Sequence, residues 1–87
     1  MLVKLEDGFC IEVNELAFDD METLDILVSL DEGDAFAMPK LCDKLFSKNN
    51  KKKIYDHCRS DDGRVPIKEF TDVIRQIMTN LGDKEKN

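Results

Sequence analysis

The sequence predicts a mostly helical α+β domain, with an N-terminal β-hairpin packed on about four short helices. Two observations carry this. Apolar residues alternate with polar ones on both sides of Asp7-Gly8, and from Asp19 onward they recur every three or four positions instead. A third observation sets the scale. At 87 residues the chain is long enough for one domain, read as 1–82 with a frayed tail 83–87, and too short for two.

The hairpin covers Leu2 to Val13. Val3 and Leu5 alternate with Lys4 and Glu6, and Phe9, Ile11 and Val13 with Cys10 and Glu12. Asp7-Gly8 between such runs predicts a two-residue type I′ turn, with positive φ at both central residues. A lone hairpin is marginal in water, so its Phe9/Ile11/Val13 face needs helices to pack on.

The first helix is expected to start at Asp19 or Asp20. Asp19 with Glu22 resembles a capping box, and acids in a first turn suit the helix dipole. Met21, Leu24, Leu27, Val28 and Leu30 form its apolar stripe, and Asp31-Glu32-Gly33-Asp34 ends it. A second helix runs from about Ala35 to Phe46, with Pro39 in its first turn. After a polar break at Ser47 to Asn50, a third covers Lys51 to Cys58, with Ile54, Tyr55 and Cys58 inward. Ser60 to Gly63 is a turn. Pro66 then opens the clearest helix of the chain, which carries Ile67, Phe70, Val73, Ile74, Ile77, Met78 and Leu81 on one face and ends at Gly82. This helix should be central.

Charge is unevenly distributed. The net charge is −6, and between Leu5 and Pro39 there are eleven acids and no Lys or Arg. Lys40 to Lys53 then holds six lysines against Asp43 alone. Solvated helix faces account for most of this, and a dipolar surface that steers a partner is the functional alternative. The acidic balance argues against duplex nucleic acid as a partner. No apolar run reaches the ~18 residues a bilayer requires, and no secretory signal precedes the hairpin. Cys10, Cys42 and Cys58 are odd in number and widely spaced, which suits reduced thiols in a cytoplasm.

Three chemistries have candidate residues in the chain. Cys58 to Glu69 overlays an EF-hand loop, with Ser60 at position three, Asp62 at five, Gly63 at six and Glu69 at twelve. Position one is a soft sulfur, and Pro66 interrupts the loop, so an Asp-Gly turn before a helix explains the same residues. Cys10, Cys42, His57 and Cys58 are zinc donor types without zinc spacing. Cys42 or Cys58 beside His57 would make a thiol nucleophile, although Cys42 and Cys58 lie on apolar stripes where Cys acts as a small hydrophobe. No Gly-rich phosphate cradle, nucleophile elbow or metalloprotease motif is present, so neither an enzyme nor a cofactor is expected.

In order, Leu5-Glu-Asp-Gly-Phe9, Asp20-Met-Glu-Thr-Leu-Asp25, Leu30-Asp-Glu-Gly-Asp34, Met38-Pro-Lys-Leu41 and Asp62-Gly-Arg-Val-Pro-Ile67 resemble small tail assembly chaperones of long-tailed phages and of prophages in Gram-positive bacteria. The resemblance spans most of the chain. It implies a protein of the bacterial host cytoplasm that binds the tape-measure protein, the long helical rod that sets tail length. Such chaperones cover the rod's apolar surface until tail-tube subunits polymerise around it, and a longer frameshifted form often accompanies them. The family supplies no sharp functional residues. From the charge pattern itself, Asp19, Glu22, Asp25, Asp31 and Glu32 are the residues expected to meet basic segments of a client. Homo-oligomerisation stays open, since a dimer would help so thin a core.

Overall fold

The computed structural model describes the backbone of residues 1–85 and the side chains of residues 1–81. Strand β1 (Leu2–Lys4) pairs antiparallel with β2 (Cys10–Glu12), in the register Leu2↔Glu12, Val3↔Ile11 and Lys4↔Cys10. Four α-helices follow: α1 (Met21–Asp31), α2 (Met38–Leu45), α3 (Lys48–Cys58) and α4 (Ile67–Glu85). Short 3-10 segments at Glu15–Phe18 and Ala35–Ala37 lead into α1 and α2. The architecture is therefore the mostly helical α+β arrangement expected.

The connection between the strands differs from expectation. Leu5 and Phe9 close the hairpin through Leu5 N–H to Phe9 O at 2.8 Å, and Gly8 N–H bonds to Leu5 O at 3.0 Å. The loop is thus the three residues Glu6-Asp7-Gly8. Gly8 has φ +93° and among the described residues no non-glycine has a positive φ, so Asp7 avoids the strained conformation that a type I′ turn would demand. Asp7 instead accepts from Phe9 N–H at 3.0 Å and from His57 Nε2 at 2.7 Å. The Phe9 ring stacks on His57, with centroids 4.0 Å apart. This explains why Phe9 is only half-buried, whereas Val3, Leu5, Ile11 and Val13 are fully inside.

The Phe9 backbone N–H, with His57 behind it, holds the Asp7 carboxyl below its usual 3.8. A depressed carboxylate stabilises the fold above its unfolded value, and that stabilisation disappears as pH falls through the folded value. Asp7→Asn is therefore expected to lower the melting temperature at neutral pH, with the gap to the parent protein closing as pH falls below 3.8 through the lowered folded value. A constant gap across that range, followed by circular dichroism, would contradict the assignment.

Helix starts and stops follow local chemistry. Asp20, not Asp19, caps α1, its side chain accepting from Glu22 N–H at 2.8 Å. The expected Asp19/Glu22 box does not form, because Asp19 closes the preceding 3-10 segment through its N–H to Leu16 O. At the far end, Gly33 N–H bonds to Leu30 O and Asp34 N–H to Ser29 O, both at 3.0 Å, with Gly33 at φ +97°. That pair of bonds is a Schellman stop. Helix α3 begins three residues earlier than expected, since Ser47 caps it by accepting from Asn50 N–H. Helix α4 runs through Gly82 to Glu85. One glycine costs a helix about 1 kcal/mol, too little to stop it before residues that tolerate helix well. The helix thus continues through 83–85 of the tail, and positions 86–87 lie outside the described residues.

The core lies between the hairpin and α4, with α2 and α3 filling in. Leu41, Cys42 and Leu45 of α2, Ile54 of α3, and Phe70, Val73, Ile74, Ile77 and Leu81 of α4 are buried against the hairpin's inner face. Asn14 ties hairpin to α2 through its N–H to Leu45 O at 2.8 Å.

Helix α1 departs most from the expected packing. Met21 is 68% exposed, Leu24 50% and Val28 48%. The helix meets α2 through its opposite side instead, where Thr23 is buried and Ile26, Leu27 and Leu30 are partly covered. Lys44 of α2 fixes this orientation by reaching both Asp20 at 3.2 Å and Glu22 at 3.0 Å. The Thr23 hydroxyl finds no hydrogen-bond partner there. Removing an unsatisfied buried hydroxyl while keeping its shape relieves a desolvation cost, so Thr23→Val is expected to stabilise the domain by about 1 kcal/mol. Urea unfolding would measure it, and a loss of stability would mean that the hydroxyl is satisfied in solution.

Candidate functional site: an open apolar groove

Between the C-terminal half of α1 and the outer side of α4 lies an open groove enclosing about 760 Å³. Leu27 and Leu30 of α1, with Gly33, Ala35, Phe36, Met38 and Pro39, form one wall. Ile67, Phe70, Thr71, Ile74, Arg75 and Met78 form the other, and Leu41 and Tyr55 lie at the base. Its position follows from the two helices beside it. Of the eleven residues of α1, six are apolar, more than one face can bury. On α4 the core takes Val73, Ile77 and Leu81, and Phe70, Ile74 and Met78 turn partly toward the groove. The Tyr55 ring meets Phe70 edge-on at 5.2 Å and closes the base.

Two rim residues stand out. Phe36 is 89% exposed and Ile67 is 83% exposed. Phe36 is held in this position by Asp34, which caps the 3-10 segment by accepting from Phe36 N–H at 3.1 Å. Apolar side chains this exposed contribute little to folding, and clustered around a concavity they mark a contact surface. Sequence periodicity placed Ile67 on the inward stripe of the last helix, where the structure instead exposes it, and passed over Phe36. The signal available was the surplus of apolar residues on α1 together with a Phe set among Ala35, Ala37 and acids.

The five acids expected to meet a client are divided by the fold. Asp31 and Glu32 stand exposed at the end of α1, beside the groove-lining residues Leu30 and Gly33. Asp25 is exposed farther back on the same helix. Glu22 lies near the helix start, engaged by Lys44, and Asp19 closes the segment before it. None of the five lines the groove; Asp31 and Glu32 adjoin its lining residues Leu30 and Gly33 along the chain, as Lys40 adjoins Pro39 and Lys68 adjoins Ile67. No basic residue occupies the last turn of α1. Asp31 and Glu32 thus face the partially negative carbonyl end of the helix, where acids are unfavourable. Helix stability does not explain their placement.

The loop that overlays a calcium site is internally satisfied. Ser60 Oγ donates to Asp62 Oδ1 and bonds to Arg64 O, Arg64 Nε reaches Asp62 Oδ2 at 2.6 Å, and Arg59 Nη1 bonds to Gly63 O at 2.7 Å. Ser60 and Arg64 together hold the Asp62 carboxyl below its ordinary value. A cation would have to displace a guanidinium already on the carboxylate. Among the described residues no three His, Cys, Asp or Glu side chains stand together to hold a metal. Calcium titration is therefore expected to leave the melting temperature unchanged, whereas a rise with calcium would show a site that assembles on binding.

The thiols are apart. Cys10 is exposed on β2, Cys58 is half-buried at the end of α3, and Cys42 is fully buried. Burial pushes the Cys42 thiol up to about 11 and raises that of Cys58, so neither is activated toward thiolate chemistry at neutral pH. His57 is turned to Asp7 and Phe9.

Among the described residues no helix is long and apolar enough to cross a membrane. Of the six lysines in the basic stretch, Lys44 pairs with α1 and Lys51 with Asp43 at 2.9 Å, and Lys40, Lys48, Lys52 and Lys53 are exposed. Compared with known proteins, the chain matches no family model, no curated protein and no solved structure.

Proposed function

We propose that this chain is a non-enzymatic protein-binding protein that shields apolar segments of a client. Following its resemblance to phage and prophage tail assembly chaperones, we take the client to be the tape-measure protein in the cytoplasm of a bacterial host. The observation that carries the protein-binding reading is the groove, open and apolar, with Phe36 and Ile67 exposed on its rim in a protein of net charge −6. High charge keeps the molecule dissolved while an apolar surface stays uncovered, which is what a holdase needs. A client rod built of long helices would present amphipathic faces to such a groove.

The test begins with the DNA flanking the gene. A very long downstream frame with sustained helical periodicity, preceded by a slippery repeat near this gene's end, supports the tape-measure client. Co-expression should then give a soluble complex that purifies together. Flanking genes without such a frame would remove the phage reading, and a long helical product that stays insoluble in this protein's presence would remove the chaperone role.

A further inference from the structure

Helix α1 forms one wall of the groove, yet it is the helix least tied to the rest of the fold. It fully buries no apolar side chain, and its one buried residue is Thr23. Helices α2, α3 and α4 each place at least one apolar residue in the core, which closes around them and the hairpin without α1. Among the described residues the α1 backbone approaches α2 and the two 3-10 segments and reaches neither the hairpin, α3 nor α4. Burial on α1 is also inverted: an unpartnered hydroxyl lies inside, and Met21, Leu24 and Val28 stay out. An arrangement that opposes the hydrophobic effect in this way is frustrated, and elements that move are drawn from such low-stability parts of a structure.

One side chain holds it. Lys44 of α2 reaches Asp20 at 3.2 Å and Glu22 at 3.0 Å. Among the described residues no other side-chain hydrogen bond or ion pair joins α1 to another helix or to the hairpin. The Glu22 carboxylate is largely exposed, so water and salt compete for the ammonium and the tie is weak. The helix is bounded by Asp19 and Asp20, where the chain leaves the first 3-10 segment, and by Gly33, whose φ of +97° ends it. Element ends of this kind absorb the dihedral change when a helix turns as a unit. We infer that α1 is a hinged wall of the groove, latched by Lys44, that undocks from a core complete without it. Undocking carries Leu27 and Leu30 away from the α4 wall, which widens the groove to admit a client segment before α1 closes again. That use rests on the groove being the client surface, whereas the undocking itself does not.

An isolated helix as short as α1 is marginal in water, so once undocked it loses its backbone hydrogen bonds and its amides exchange. Native-state hydrogen exchange on the full chain, read amide by amide by NMR, therefore measures the latch without any client. Amides from Leu24 to Leu30 should be at least about a hundredfold less protected than those from Phe70 to Ile77. Ile77→Val, a mild loss of core packing, should speed the α4 amides about fivefold and leave those of α1 within about twofold, because undocking does not require the core to open. Lys44→Met, which keeps the side-chain stem, should speed α1 exchange severalfold at low salt, and its difference from the parent protein should fade near about 0.5 M salt. Thr23→Val should slow α1 exchange about fivefold. Equal protection of α1 and α4, or equal acceleration of both by Ile77→Val, would mean that α1 opens only when the whole domain unfolds, and would overturn the proposal. Lys44→Met with no effect on α1 would overturn the latch. A client that fails to co-purify, with α1 still exchanging first, would remove the chaperone reading and leave the hinged wall in place.

Discussion

Truncating Ile77 to alanine is expected to cost about 2–5 kcal/mol, the range for removing a large aliphatic side chain from a packed core. Ile77 is 0% exposed and lies midway along the buried face of α4, among Val73, Ile74 and Leu81. Helix α4 packs directly on both β1 and α3, so a void beside it has little slack to collapse into. The two-stranded sheet has no third strand to stiffen it, and its inner residues Val3, Leu5, Ile11 and Val13 depend on the same cluster. A domain of this size is stable by only about 4–13 kcal/mol in total. The variant should therefore melt roughly 10 °C or more below the parent protein, or fail to fold at 37 °C. Calorimetry or urea unfolding measures this directly. A loss under about 1 kcal/mol would mean that α4 is not the centre of the core.

The central place of α4 was legible because its apolar residues recur in one narrow stripe, and a stripe has one direction to face. The hairpin was legible for the same reason, through alternation. Its turn was not, because Asp-Gly serves both a two-residue and a three-residue loop. The choice was made by His57, distant in sequence, which captures Asp7 together with the Phe9 backbone N–H and on which the Phe9 ring stacks. Helix α1 shows the general limit. Periodicity identified an apolar stripe at Met21, Leu24, Leu27, Val28 and Leu30 but could not say which part of a wide apolar arc packs inward. Lys44, contributed by another helix, selected the side with Thr23, Ile26, Leu27 and Leu30. The candidate site meets the same limit: of the acids expected to meet a partner, Glu22 pairs with Lys44 and none of the five lines the groove. Concavity depends on how α1, α2 and α4 lie against one another, so no local pattern encodes it.

Phe70 belongs to both the core and the groove, and its truncation should separate this protein's two uses of apolar surface. It is 8% exposed, its ring edge meets Tyr55 at 5.2 Å, and it forms part of the groove wall. Phe70→Ala is expected to cost about 3 kcal/mol, toward the lower end for a buried aromatic because the void opens to the groove and can fill with water. It should also weaken binding of an amphipathic helical peptide of the client, since the base of the groove is lost with the ring. Phe36→Ala with Ile67→Ala should have the opposite profile: stability changed by under about 0.5 kcal/mol, as for surface sites, with binding lost. Adding saturating peptide should therefore raise the melting temperature of the parent protein and leave the Phe36/Ile67 variant unmoved. For Phe70→Ala the peptide should recover only part of the lost stability. Full recovery would mean that the groove forms around the peptide rather than before it. In that case the apolar surplus of α1 serves a site assembled on binding, with Phe36 and Ile67 its leading contacts.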